Sequence, residues 1–407
     1  MAKSTIITGL DIGTSSVKIL VASKKPQSGD IEVLYSGQKP SLGVRRGVIV
    51  DIDEVSRCVR EAVKDAELGV GQEIDSFYVN IGGSHIFCAM SHGLVSVSRA
   101  DQKISEEDIN RVMTAAQTIS LSSNKEIIDV YPREFIVDGE GGVKDATGMQ
   151  GVRLEVKVLL VAGFSPYLRN LDQAILRSDY KIMHRIPSVI SSAKSVLSPS
   201  QKELGVAILD IGAGTSGLAV YEEGDLIHLA VLPIGSSNIT NDIAIGLKTD
   251  VEIAEKIKIE KGSCFCKGGS KKLKVESDKD KENLAFSQKA VAKIVQERVQ
   301  EIFDLVNKEL KKIGRDKKLP SGMILTGGGA KLPKIEELAK KEFKLTCKIG
   351  TPRGFLNIDD DPAMSTVCGL ALEGIELEED GSKGEESGSL VKGAGGAIVK
   401  FIKNLIP

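Results

Sequence analysis

Tryptophan is absent from the chain and aromatic residues make up only 4% of it, so any core has to be built from Ile, Val, Leu and Ala. No stretch approaches the roughly 20 apolar residues of a spanning helix, which excludes an integral helical membrane protein. The N-terminal Met1-Ala-Lys-Ser-Thr-Ile-Ile-Thr has no apolar core region and no small-residue cleavage site, so no secretory signal is read. Charge of one sign is also missing. Lysine and arginine number 54 against 56 acidic residues, which gives no reason to expect nucleic acid as a partner. The six cysteines are scattered apart from Cys264 and Cys266. A Cys-x-Cys without a nearby His falls short of a four-ligand zinc site, so these are read as loop thiols in a reducing, cytosolic compartment. What remains is an ordinary soluble composition, 41% hydrophobic and 27% charged.

The most informative feature is an internal echo. Ile6 to Leu20 reads as an apolar strand, a Gly/Ser/Thr turn and a second strand. Val206 to Val220 repeats that pattern about 200 residues later, and both turns begin Asp-Ile-Gly. Each is expected to be a β-hairpin, and two of them imply two related halves facing one another. Small residues let backbone N–H groups approach phosphate oxygens, and hydroxyls add donors. Gly13, Thr14, Ser15 and Ser16 form one such loop, and Gly212, Ala213, Gly214 and Thr215 the other. Lys18 reaches in as a point charge, and Asp11 with Asp210 would suit a Mg²⁺ ion held through water. A third cluster, Gly327-Gly328-Gly329, follows the strand Met323–Thr326 and precedes a helix from Leu332 to Phe343, where bare backbone could lie against a base and ribose. Gly235 joins the candidate cofactor-binding residues.

Between these motifs, helices are expected at Val55–Glu67, at Glu106–Thr118 behind a Ser105/Asp108 capping box, at Pro166–Ser178, and at Pro187–Leu197. Strands around Leu94–Ser98, Glu126–Val130, Glu134–Val137 and Leu154–Val161 suggest a separate αβ module. Further on come a helix at Asp250–Lys261, a charge-dense loop or hairpin at Lys271–Lys281, and a long helix from about Ala285 to Ile313. From 375 to 389 acidic and small residues predominate, which reads as a flexible linker. The last segment, 390–407, is amphipathic: Ile398, Val399, Phe401, Ile402, Leu405 and Ile406 share one face, with Lys392, Lys400 and Lys403 as its cations. It carries no acidic side chain, so it is expected to lie on an anionic lipid surface rather than cross it. Gly393, Gly395 and Gly396 make it a poor helix in water, so it should fold on meeting lipid.

Taken together, the motifs resemble the actin, hexokinase and heat-shock-70 superfamily. Leu10–Thr14 and Leu209–Thr215 are similar to its two phosphate motifs, Leu325–Ala330 to its adenosine motif, and Pro362–Gly369 to its second connecting helix. The resemblance implies an α/β fold of two actin-like halves, with ribonuclease-H-like mixed sheets and helices on both faces, binding ATP and Mg²⁺. It also places Glu255 and Lys258 beside the adenosine. Within the superfamily, Ile104–Ile109, Val130–Phe135, Gly148–Lys157 and the terminal helix resemble the FtsA family of bacterial cell-division proteins. That likeness divides the chain into a first half (1–84 and 162–204), an inserted α+β subdomain (85–161), a second half (205–248 and 320–374) with a smaller subdomain (249–319), the linker and the terminal helix.

The same likeness implies a peripheral protein on the cytoplasmic side of the membrane at the division site. Such a protein forms filaments with itself, binds the C-terminal tail of FtsZ, and meets other division proteins through the inserted subdomain. Arg298, Glu301 and Asn307 are the candidate FtsZ-tail residues. Two positions depart from the superfamily pattern: Ile186 stands before Pro187 where some members carry a Glu, and Lys194 where actin-like members carry a Gln. No water-positioning residue is evident, so hydrolysis is expected to be weak or absent. A small-molecule kinase or a pilus-assembly ATPase of the same superfamily is the alternative.

Overall fold

Both echo segments fold as the hairpins their short glycine turns dictate. In a computed structural model, which describes residues 6–25, 29–118, 121–265, 272–276 and 283–385, strand Ile6–Ile12 pairs antiparallel with Ser16–Lys24. Val206–Ile211 pairs in the same way with Ser216–Glu222. Each hairpin seeds a sheet of the same order. In the first half the sequence across the sheet is Lys181–Pro187, Ser76–Ile81, Ile6–Ile12, Ser16–Lys24, Ile31–Pro40. In the second it is Cys347–Ile349, Met323–Thr326, Val206–Ile211, Ser216–Glu222, Asp225–Leu232. The repeat visible in the motifs is therefore a repeat of whole topology.

The central strands are apolar at nearly every position because helices cover both faces. Strand Ile6–Ile12 is buried throughout except at Ile6. The helix Ile52–Val70, capped by Asp51 and ended by Gly71 in a left-handed turn, covers one face of the first sheet. The helix Ser365–Glu385 covers the other. It also crosses Ser188–Val196, and the crossing is lined with small residues: Ser191 Oγ donates to Thr366 O, and Ser195 Oγ to Ser365 O. Gly369 lies directly against the Ser191 carbonyl, where a Cβ could not fit.

The inserted module has its own core around Ile109, Met113, Phe135 and Leu154. Its helix Glu106–Gln117 starts at the expected Ser105/Asp108 capping box. Although it leaves and re-enters the chain from the first half, its sheet is continuous with that of the second, because Phe87 pairs with Ala230. Lys144 reinforces the junction with an ion pair to Asp225 at 2.5 Å.

Several boundaries differ from expectation; the helix expected from Leu332, for one, begins at Ile335. Glu126–Val130 and Glu134–Val137 are parts of one strand, Lys125–Val137, and the strand expected at Leu94–Ser98 runs from Phe87 to Ser96. The charge-dense segment is a hairpin, Lys272–Glu276 with Asn283–Ser287, so the long helix begins at Gln288 instead of Ala285. The acidic stretch from 375 is helical through Glu385 and not a linker there. Ile375 is buried, Tyr78 Oη donates to Glu378, and Lys24 and Lys194 pair with Glu379 and Glu376, so partners across the first half fix what composition alone would leave loose.

Candidate functional site

Each hairpin turn is closed by the same bond, Gly13 N–H to Ser16 O at 3.0 Å and Gly212 N–H to Thr215 O at 2.9 Å. The two loops meet across the cleft: a Cβ at Gly214 would lie 2.7 Å from Thr14 Oγ1. They bound a cleft of about 790 Å³, ample for a nucleotide-sized ligand. Gly13, Thr14, Ser15, Ser16, Lys18, Gly212, Ala213, Gly214 and Thr215 all line it.

Asp11 and Asp210 also line the cleft. Register explains the first: Asp11 is cross-strand from Lys18, so both side chains leave the sheet on the cleft side, with Lys18 Nζ 3.2 Å from Asp11 Oδ2. Asp210 Oδ2 accepts from Ser192 Oγ at 2.5 Å and Thr366 Oγ1 at 3.2 Å, both from the connecting helices. Gly327 presses against its other oxygen. Burial raises the Asp210 carboxyl above its ordinary value despite the Ser192 bond, and the charge of Asp11 adds to the rise. Two carboxylates on one cleft, each with one oxygen on a protein donor, form a hard-oxygen set that would suit a water-shelled divalent cation. Among the described residues no group of three or more His, Cys, Asp or Glu could hold a metal, so water would have to complete such a shell.

Running away from Asp210, Gly327 takes a left-handed φ of 81° and Gly329 packs on Ile211, while the space beside Gly328 is open. Bare backbone therefore faces the cleft. Glu255 and Lys258 stand opposite on one helix face, 2.7 Å apart. Lys258 is buried and also donates to Thr240 Oγ1 at 3.0 Å. Gly235 does not line the cleft. It sits behind the second hairpin loop, 2.5 Å from Ala213 O were a Cβ added. Ser236 and Ser237 then donate their N–H groups to Gly212 O and Ala213 O, which fixes that loop from behind.

Several lining residues were not singled out from the sequence: Asn80, Gln38, Ser188 and the glycines Gly47 and Gly82. Asn80 accepts from Ile12 N–H at 2.7 Å and donates to Ser188 Oγ, so it braces the first loop. Gly47 had no clear local signal, since one of the two strand pairs that it and Arg46 separate, Val44-Arg45, carries a charge. Lys194 is turned away from the cleft and pairs with Glu373 at 2.6 Å, and Ile186 is buried.

The candidate partner residues do not share one face. Arg298 forks onto Asp242 at 2.6 and 2.8 Å and also pairs with Glu301. Asn307 lies on the other side of the same helix and donates to Glu342 O at 3.4 Å. Burial pushes the Cys264 thiol up to about 12, as expected of an inert core thiol, and Cys266 lies outside the described residues. The amphipathic segment with Lys392, Ile398, Val399, Lys400, Phe401, Ile402, Lys403, Leu405 and Ile406 also lies outside them. Among the described residues no helix is long and apolar enough to cross a membrane.

Comparison with known proteins agrees with this architecture. The family model described as cell division protein FtsA matches residues 207–369, and that of the SHS2 domain inserted in FtsA matches residues 83–162. Cell division protein FtsA of Pseudomonas aeruginosa is 36% identical over 94% of this chain and 93% of its own length. That of Bacillus subtilis is 35% identical over 90% and 83%, and that of Escherichia coli K12 31% identical over 94% of each. Among solved structures, a PilM–PilN type IV pilus biogenesis complex superposes with a TM-score of 0.65 at 15% identity, covering 91% of this chain and 98% of the other. MreB5 of Spiroplasma citri bound to ADP gives 0.55 at 13% identity, covering 94% and 99%. The fold is actin-like, with an inserted α+β subdomain.

Proposed function

The chain belongs to the FtsA family of cell division proteins, and from that premise we propose that it is an ATP-binding, self-assembling tether of the FtsZ ring to the cytoplasmic membrane. The observation that carries the nucleotide reading is the cleft, where two matching loops of small residues meet beside two carboxylates, Asp11 and Asp210. Backbone N–H groups of Gly13–Ser16 and Gly212–Thr215 hold phosphates, Lys18 adds charge, and Gly327–Gly329 with Glu255 and Lys258 bracket the adenosine. Asp11 and Asp210 are the residues that would hold a Mg²⁺ ion, which would neutralise phosphate charge. With Ile186 and Lys194 where water-positioning groups would stand, nucleotide serves as a cleft-closing ligand with slow or no turnover.

The FtsZ tail docks on the smaller subdomain of the second half, at the face carrying Arg298 and Glu301, while other division proteins meet the inserted subdomain. Residues 390–407 lie on the anionic leaflet. A single copy binds it weakly, and filaments bind through avidity. Co-sedimentation with anionic liposomes, with and without ATP and Mg²⁺, tests this reading. The full chain is expected to pellet with ATP-favoured filaments, and a chain stopped after Ser389 to stay soluble. If both stay soluble the tether reading fails.

A further inference from the structure

The six charged side chains that line the cleft cancel one another. Lys18 pairs with Asp11, Lys258 with Glu255, and Lys331 with Asp361 just outside, while Asp210 adds a further carboxylate. Each lining lysine already has a carboxylate partner. A nucleoside triphosphate brings more negative charge than a diphosphate, and that difference needs a cation at the phosphate end of the cleft.

A small hairpin, Val44–Arg45 with Val48–Ile49, carries a candidate at its tip, where Gly47 lines the cleft and Arg46 stands next to it. Val44 and Ile49 pack on the core of the first half. Its two-residue tip, Arg46-Gly47, has φ values of 49° and 73°, the left-handed pair that a tight turn of this kind requires. Arginine there is unusual, since Asn or Asp before Gly would meet the turn at lower strain. The tip is wedged among the cleft loops. Gly47 N–H donates to Thr14 Oγ1 at 2.9 Å, a Cβ on Gly47 would lie 2.6 Å from Gly83 N, and one on Gly214 would lie 2.9 Å from Arg46 Cα. Arg46 thus joins the first half to the second phosphate loop, at the end of the cleft away from Glu255, Lys258 and Gly328. Arg46 is exposed, and no carboxylate among the described residues pairs with it. Arg45 sits one position back in the strand, opposite Val48.

We propose that Arg46 is the cation that meets the terminal phosphate of a bound nucleoside triphosphate, and so makes the cleft distinguish triphosphate from diphosphate. This rests on the nucleotide-binding reading above. A guanidinium suits the role because it bonds phosphate oxygens in a fork and keeps its charge at every physiological pH. The tip backbone holds its Cα in place, so only the side chain has to swing inward.

The test is equilibrium titration of the full chain with ATP and with ADP, each with Mg²⁺, for the parent, R46G, R46K and R45A. Glycine is unstrained at this φ, so R46G removes the guanidinium without straining the turn. R46G is expected to weaken ATP by about ten- to a hundredfold, as for lost bonds to a charged group, while ADP changes less than about twofold. R46K should recover part of the loss, and R45A should match the parent. Equal weakening of ATP and ADP by R46G, or no change in either, overturns the proposal while nucleotide binding stands. If the parent binds neither nucleotide, the nucleotide-binding reading falls and the proposal with it.

Discussion

Gly214 is one of the places where the two halves touch, and Gly214→Ala tests whether that contact belongs to a closed, ligand-ready cleft. The added Cβ would lie 2.7 Å from Thr14 Oγ1, 2.9 Å from Arg46 Cα and 3.0 Å from Thr14 Cγ2. Favourable separations are about 3.5–4.0 Å, so the loops must part by roughly half an ångström to one ångström. Overpacking on that scale costs about 1–3 kcal/mol when the surroundings are held in place. Here the obstructing atoms belong to the opposite half, so a ligand-free chain relieves the strain by opening, and its own stability should change by less than about 1 kcal/mol. A closed, liganded cleft has no such escape. A ligand present at 100 times its Kd stabilises by about 2.7 kcal/mol. A penalty of about 2 kcal/mol on the closed form weakens binding roughly thirtyfold and leaves only about 0.9 kcal/mol of that stabilisation. Thermal unfolding with and without ATP and Mg²⁺ reads both quantities. An undiminished ligand shift in Gly214→Ala would refute the reasoning, as would a large loss of stability without ligand.

Asp210→Asn should separate stability from function. Its folded carboxyl titrates above the ordinary value of 3.8, so the folded state holds the extra proton between the two values. Stability therefore falls as pH rises through that window and stays lower above it. The amide variant should melt higher at neutral pH without ligand, with a flatter acid profile, and should lose the Mg²⁺-dependent part of any nucleotide shift; a lower melting point without ligand would count against the argument. Acid should loosen the seam between the inserted module and the second half. Burial lowers the pKa of His228, which faces Cys88, Glu309 and Lys312, so it resists protonation while folded and its contribution is lost as pH falls through and below 6.5. Hydrogen exchange at Phe87–Ala89 and Leu229–Ala230, corrected for intrinsic rate, should quicken at pH 5.5 relative to 7.5, and equal protection would contradict it. Phe401→Glu with Ile402→Glu should abolish pelleting with anionic liposomes while leaving nucleotide binding intact; retained pelleting would remove the membrane role of the segment.

Features set by a few adjacent residues were readable in the chain. The two Asp-Ile-Gly turns, the capping box at Ser105 and the triple glycine after Thr326 carry their geometry in their own spacing, and the cleft is assembled from such pieces. Features set by distant partners were not. Residues 376–379 look like linker because Glu dominates, yet Lys24, Tyr78 and Lys194 lie on three other elements and hold them in a helix. Phe286 extends the apolar stripe of the long helix by one turn, but it pairs with Leu273 in a hairpin. Arg298 and Asn307 are nine positions apart, about half a revolution off at 100° per residue, and the structure sends them to opposite neighbours. The tip Arg46-Gly47 went unnoticed because its importance comes from Thr14, Gly83 and Gly214, none of them near it in the chain.

The inserted module also changes what opening the cleft involves. In a fold of two halves joined only by crossing helices, the halves could hinge freely about the Ser191–Thr366 contact. Here the module is tied by its chain to the first half and by its sheet to the second. Any hinge motion must then act on the junction at Phe87 and Ala230, which has a single backbone pairing. The neighbouring bonds are made by a side chain: Leu229 N–H donates to Cys88 Sγ at 3.3 Å, and Cys88 Sγ–H donates to Leu229 O at 3.2 Å. Thiol bonds are weak and tolerant of angle, so the seam can yield where a full ladder would not. Lys144 to Asp225, a surface pair worth about 1 kcal/mol or less, adds little resistance. A hinge motion of the cleft would therefore act on the set of the module through this thiol-held contact, and Cys88→Val, which removes both bonds and leaves Leu229 N–H and O without those partners, should loosen the seam and quicken hydrogen exchange at Leu229 and Ala230 before it alters the fold.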